Sequence, residues 1–314
     1  MFDNTSLVTL YAVTPCHAGS GSSVGVVDLP IQRERHTNYP IIQASGVKGA
    51  FRANFKNFKT KEKVGDDPQF NNLEDLIFGS SDQNNAYMGA LAITDAKILA
   101  FPMRSSVAPF LWITCPAVLK RLVKDLEIAG LPSGDLSSVL LAADSEQAYS
   151  VGSEAVADGK ILLEDIAVEV KKGVLPEELK KYFAQAERLL VVSDKVFDYG
   201  ITECTQIMAQ IKIDDKTGAT SKGSLRYQEE LPADSIMYTV IHWEKLSKEQ
   251  IRYLDSIMYT VIPWEKSTHK EDSDLNKTVK NYVKSVIGNH IQIAGDETCG
   301  RGIFLIDWTD SKSE

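Results

Sequence analysis

TPCHAGSGSSVGVVDLPIQRERHTNYPIIQASGVKGAFR, from Thr14 to Arg52, runs from the end of a predicted strand into a predicted helix through a loop of small and charged residues. Upstream, Ser6–Val13 alternates Leu7, Thr9 and Tyr11 against Val8, Leu10 and Ala12, which is the period of a strand. Downstream, Ser45 reads as the N-cap of a helix to about Phe58, with Val47, Phe51 and Phe55 on one face. Between them lie His17, Gly19, Ser20, Gly21, Ser22, Ser23 and Gly25, then the isolated acid Asp28 and the cations Arg33 and Arg35. Small residues let a polyanion approach the main chain, and N–H groups at a helix start favour phosphate. A carboxylate contributes little to such binding, so Asp28 is a candidate for chemistry. It also reads as the cap of a turn before Leu29-Pro30.

Farther along, a short helical turn at Leu73–Phe78 leads into strand-like Met88–Ala100, after a polar loop at Lys59–Asn72. Pro116 opens an amphipathic helix through Leu126. Ile161–Val170 reads as a strand and Pro176–Leu190 as a helix. Thr205–Ile213 and Ser224–Leu231 flank the polar turn Asp214–Gly223, a long hairpin with Met208, Ile211 and Ile213 available to stack or pack. Leu275–Ile287 is a helix, and Ile291–Ile293 and Ile303–Trp308 are strands around the loop GDETCGRG (Gly295–Gly302). That loop offers main-chain N–H groups at Gly295, Gly300 and Gly302 plus the cation Arg301; it also reads as a plain tight turn. DSIMYTVIHWEK (Asp234–Lys245) recurs as DSIMYTVIPWEK (Asp255–Lys266), identical at 11 of 12 positions. Two copies do not make a solenoid, so one is expected in the core and the other, with Pro263, at the periphery. The mixture of strands and helices fits an α+β sheet with helices on one face.

A length of 314 residues with 43% hydrophobic and 25% charged residues is that of an ordinary globular chain. No apolar run reaches membrane-span length. Four scattered cysteines form no CxxC pair, which argues against a thiolate metal site and for a reducing, cytoplasmic setting. The net charge of −9 hides an asymmetry: residues 1–63 carry eight Lys/Arg against four acids, +4, and the remainder is −13. Screening confines surface charge to about 8 Å at physiological salt, so a basic end can hold RNA while the acidic remainder meets basic partners.

Three blocks in order, Thr14–Gly25 with VVDLPIQRERHT (Val26–Thr37), ASGVKGAFR (Ala44–Arg52) and IQIAGDETCGRG (Ile291–Gly302), resemble the RAMP superfamily of CRISPR proteins. Within it they resemble the fourth, backbone subunit of type III-B (Cmr) effector complexes. The resemblance implies one RAMP domain over residues 1–314, with an RRM-like (ferredoxin-like) core, inserted helical segments and a β-hairpin thumb at about 201–233. It implies a subunit that oligomerises along a CRISPR RNA and cleaves complementary single-stranded target RNA at regular intervals. Asp28 matches the family's slicing aspartate. A divalent cation, Mg²⁺ or Mn²⁺, is implied, with Asp28 as its protein ligand. His17 is a second catalytic candidate, acting on a leaving oxygen or contacting phosphate; as a lone loop histidine it also reads as a surface hydrogen-bonding residue. Glu229 belongs to a segment that approaches the cleavage region, and a solvated strand end is the alternative for it.

RNA binding is expected at Gly19, Ser20, Arg33, Arg35, Ser45, Lys48, Arg52, Gly295, Gly300, Arg301 and Gly302. No RNP-type aromatic motif is present, so RNA is expected along the glycine loops and basic helix rather than on the sheet. The implied partners are CRISPR RNA, target RNA, copies of the chain itself, and other Cmr subunits, including the large cyclase-type and the small helical ones. Two alternatives remain: a structural subunit that binds RNA without cutting it, and a standalone processing endonuclease with a histidine site and no metal.

Overall fold

In a computed structural model, which describes residues 4–23, 25–61, 74–80, 88–137, 146–244 and 272–311, the alternating stretch near the N-terminus becomes β1 (Thr5–Ala12). Leu7, Val8, Leu10 and Ala12 are all fully buried there, which requires cover on both faces of the strand. One edge of β1 pairs antiparallel with β14 (Ile303–Asp310) and the other with β12 (Ile236–Trp243). The far edge of β12 takes β4 (Ala96–Arg104) and, farther along, β3 (Leu91–Ile93). Helix α1 (Ala44–Lys61) follows β1 in the chain, and the last helix, α6 (Asp272–Ile287), precedes β13 (His290–Gln292) and β14. The order β14-β1-β12-β4 with these two crossover helices is the ferredoxin-like βαββαβ arrangement expected from the resemblance.

The predicted apolar stripe of α1 holds. Val47, Phe51 and Phe55 are each fully buried, every such side chain contributing about 1.5–3 kcal/mol of transfer free energy. Phe51 meets Trp308 of β14 at 6.1 Å between centroids, and Phe55 meets Tyr282 of α6 at 6.0 Å. Both helices therefore pack together on one face of the sheet. With Ser45 read as the cap, the helix starts two residues earlier than read. Ala44 is its first residue, and the Ala44 N–H donates to Asp95 Oδ1 (2.7 Å) from the β3–β4 turn. Asp95 thus caps the helix from a distant segment, and Ser45 sits exposed in the first turn.

Between β4 and β12 the chain inserts a second lobe. The later half of β4 (Phe101–Arg104) pairs with β5 (Phe110–Thr114), and the sheet continues through β9 (Leu189–Val192), β6 (Gln147–Ser150), β8 (Ile166–Lys172) and β7 (Gly159–Leu163). Helices α3 (Pro116–Ile128), α4 (Glu177–Lys180) and α5 (Asp194–Glu203) belong to this insertion; α2 is the short helix at 74–78. Pro116 does open α3, burying Val118, Leu119, Leu122 and Leu126.

Several expectations fail in this lobe. Ile161–Val170 is two antiparallel strands, β7 and β8, reversed at Glu164, whose φ is +49°. The predicted helix Pro176–Leu190 is one α turn and a 3₁₀ turn (Lys181–Phe183), after which Leu189–Val192 becomes β9, buried at every position. A strand between parallel β5 and antiparallel β6 is covered on both faces, so its apolar run carries no alternation to announce it. The first copy of the duplicated segment supplies the core strand β12, as expected. The second copy lies outside the described residues, as does most of the predicted loop Lys59–Asn72.

Candidate functional site

The hairpin is real and shorter than read: β10 (Gln206–Gln210) pairs antiparallel with β11 (Arg226–Glu230). It is rooted immediately after α5, whose N-terminus is capped by Ser193. Ile207, Ile211, Ile213, Leu225 and Tyr227 leave large apolar area exposed on this hairpin. Met208 points to the opposite face from Ile207, because successive side chains alternate across a strand.

The other edge of β11 is a template for the loop read from the sequence. Tyr227 N–H donates to Asp28 Oδ2 (2.8 Å), Leu29 N–H to Tyr227 O (3.0 Å), and Glu229 N–H to Leu29 O (2.9 Å). The Glu229 carbonyl accepts from His17 Nδ1 (2.7 Å), and Cys16 and Leu231 exchange both backbone bonds. His17 and Asp28 are thus fixed to main-chain groups two residues apart on one strand, about 7 Å at 3.3 Å per residue. A carbonyl only accepts, so Nδ1 carries the proton, and Nε2 of the neutral ring is the open lone pair. Asp28 keeps Oδ1 without a partner among the described residues. Gly19 gives the imidazole its room: a Cβ there would lie 2.7 Å from His17 Nε2.

The side chains of β11 serve its two faces separately. On one face, Glu229 Oε1 holds Arg33 (2.5 Å) and Thr205 Oγ1 (2.8 Å), while Oε2 accepts from Ile31 N–H (3.0 Å). Arg33 also donates to the carbonyls of Asn38 (2.8 Å) and Ile201 (2.9 Å). On the other face, Gln228 donates to Asp296 Oδ2 (2.6 Å), and Glu230 Oε1 accepts from Arg301 Nε (3.1 Å). The loop carrying Asp296 and Arg301 joins β13 to β14 and closes on the N-terminal loop through Gly302 N–H to Pro15 O (2.8 Å) and Gly295 N–H to His17 O (3.2 Å). Gly302 has φ +70°, and a Cβ on it would fall 2.0 Å from Ile293 O. Gly300 has φ +71° at the end of a 3₁₀ turn.

These placements correct part of the sequence reading. Glu229 is buried with both oxygens engaged, so it is a strut and has no free oxygen to move a proton. Arg33 faces inward on that strut, with its side chain largely buried. Arg52 is likewise occupied by Glu74 (2.6 Å), Asp75 and Gly79 O (3.1 Å), so it does not share an outward face with Lys48. Arg35 is exposed. Ser20 is exposed too, with both N–H and Oγ on Pro30 O (3.0 and 3.1 Å). Ser45 and Lys48 line an open depression of about 280 Å³ with Met88 and Glu244. Burial first, and then the charge of Arg52, lower the pKa of Lys48. The residues that sequence reasoning missed are Gln228, Asp296, Thr205 and Gln32. Gln32 bridges the glycine loop to α1 by donating to Gly19 O (3.0 Å) and accepting from Gln43 N–H (2.9 Å). Polar residues in a strand pattern carry no mark of which ones are buried.

Among the described residues no group of three or more His, Cys, Asp or Glu side chains converges on one point. The described donors therefore do not by themselves fit a resident cation.

With this geometry in view, the comparisons are decisive. The RAMP superfamily model matches residues 9–304. The "CRISPR system Cmr endoribonuclease Cmr4" of Pyrococcus furiosus is 33% identical over 96% of this chain and 94% of its own length. The "CRISPR system CMR subunit Cmr4" of Saccharolobus solfataricus is 25% identical over 95% and 94%. The crystal structure of oligomeric Cmr4 from Pyrococcus furiosus superposes with a TM-score of 0.67 at 26% identity, covering 98% of this chain and 99% of that one. A ferredoxin-like core, a hairpin rooted beside a glycine loop and similarity over almost the full length agree: the chain belongs to the RAMP superfamily, among the backbone subunits of type III-B CRISPR effector complexes.

Proposed function

We propose that the chain is the CRISPR RNA-binding backbone subunit of a type III-B interference complex and that it cleaves target RNA through Asp28. Copies of it line one guide RNA together with the other Cmr subunits, and base pairing supplies the sequence specificity. The similarity to an endoribonuclease of this class over nearly the whole chain supports RNA cleavage. The observation that carries the role of Asp28 is its tether. Oδ2 is held by Tyr227 N–H at the root of the hairpin while Oδ1 stays open. One oxygen orients the carboxylate and the other is left to accept a proton from the attacking hydroxyl of RNA. His17, held through Nδ1 by the Glu229 carbonyl, leaves Nε2 as the second open group, beside Gly19.

A Mg²⁺ or Mn²⁺ ion enters the reading only as a ligand shared with substrate. Mg²⁺ commonly takes one or two carboxylates plus phosphate oxygens, and Asp28 Oδ1 is the oxygen this chain offers. No helix among the described residues is long and apolar enough to cross a membrane, and the cytoplasm, where guide and target RNA meet, is the proposed compartment.

Asp28→Asn tests the assignment. The amide keeps an oxygen for Tyr227 N–H, so RNA binding and assembly should persist while target cleavage falls by about 10²–10⁴-fold. Undiminished cleavage would return the chain to a structural, non-cutting role. Cleavage that continues in EDTA would remove the cation and favour a histidine-centred processing enzyme.

A further inference from the structure

We propose that Glu230 is a positioning residue that presets Arg301 as an RNA phosphate contact. This rests on the RNA-binding reading above and adds to it a residue that never touches RNA. Glu230 lies on β11 with its side chain only 1% exposed. Its Oε1 accepts from Arg301 Nε (3.1 Å), and its Oε2 is buried without a hydrogen-bond partner. A buried carboxylate with one charged partner is costly to hold, since ionised groups in a protein interior need pairing. The gain here is orientation. The guanidinium is anchored through Nε alone, leaving both terminal nitrogens without a partner among the described residues and the side chain 27% exposed. That is the planar fork that grips a phosphate in a bidentate way.

The backbone around Arg301 is fixed as well. Its N–H donates to Asp296 O (3.2 Å) and its carbonyl accepts from Gln292 Nε2 (3.3 Å). Arg33 and Arg52, two of the cations read from the sequence, have their charge turned inward. Arg301 differs because its single anchor is Nε, so both nitrogens of the fork stay unpaired among the described residues.

Binding of the full-length chain to a labelled single-stranded RNA of mixed sequence tests this by a double-mutant cycle. Arg301→Ala should weaken binding about tenfold, the loss of one charge-assisted contact. Glu230→Leu, which fills the same volume without an acceptor, should weaken it by the same factor, and the double variant no further. Glu230→Gln restores an acceptor for Nε and should recover most of the affinity; it also serves if the leucine variant does not fold. Parental affinity in Glu230→Leu, losses that multiply in the double variant, a glutamine variant as weak as the leucine one, or parental affinity in Arg301→Ala would each overturn the proposal. A parental chain that fails to bind the RNA would instead overturn the functional reading beneath it.

Discussion

The two faces of β11 carry out one task with different means. On the Glu229 face, an ion pair to Arg33 and three further hydrogen bonds lock the loop that holds His17 and Asp28. On the Gln228 and Glu230 face, the C-terminal loop is held by one amide contact, one arginine and the left-handed Gly302, where a Cβ would collide with Ile293 O. The first face relies on side-chain bonds to one buried carboxylate, and the second combines an ion pair with glycine backbone conformation. Both loops end against each other at Pro15 and His17. The lesson is that this pair of loops does not display all of its charges. It turns Arg33 inward to fix one loop and leaves the Arg301 fork without a partner among the described residues.

This contrast can be broken by substitution. The largest effect is expected for Glu229→Ala, which leaves the largely buried Arg33 unpaired. Breaking such a pair costs about 3–5 kcal/mol, measurable by urea unfolding. Hydrogen exchange should then rise in residues 14–40 while 294–302 stays protected. Equal loss of protection in both segments would show that the faces are not independent. Next comes Gly302→Ala, where a left-handed backbone and a Cβ 2.0 Å from Ile293 O combine. A loss of about 3 kcal/mol is expected, with the opposite exchange pattern. A variant as stable as the parent would refute the backbone argument. The smallest effect belongs to Gln228→Ala, which removes the contacts to Asp296 and Gln210 and should cost about 1–2 kcal/mol. If it matched Glu229→Ala, the amide and not the ion pair would be the main strut.

The legible parts of this molecule were those governed by local rules. The stripe Val47, Phe51, Phe55 marked α1, and the alternation of residues 6–13 marked β1. The polar turn between two β-rich runs marked the hairpin. Asp28 and His17 stood out because their residue types are rare in a small-residue loop, and the structure brings both to one strand edge. The inserted lobe was harder. Strand β9 is buried on both faces and shows no period, and β7 and β8 are joined by a turn too short to interrupt the apolar run.

Sequence by itself determined the element types at both ends and the membership that three spaced blocks revealed. Tertiary structure alone decided which charges are usable. Arg33, Arg35, Arg52 and Arg301 are equal as letters, yet Arg33 and Arg52 meet acids brought from far along the chain, Arg35 is exposed, and Arg301 is anchored by one nitrogen. The reason is that an ion pair depends on distance in space, and residues 196 positions apart, such as Arg33 and Glu229, become neighbours only when the sheet and hairpin have formed.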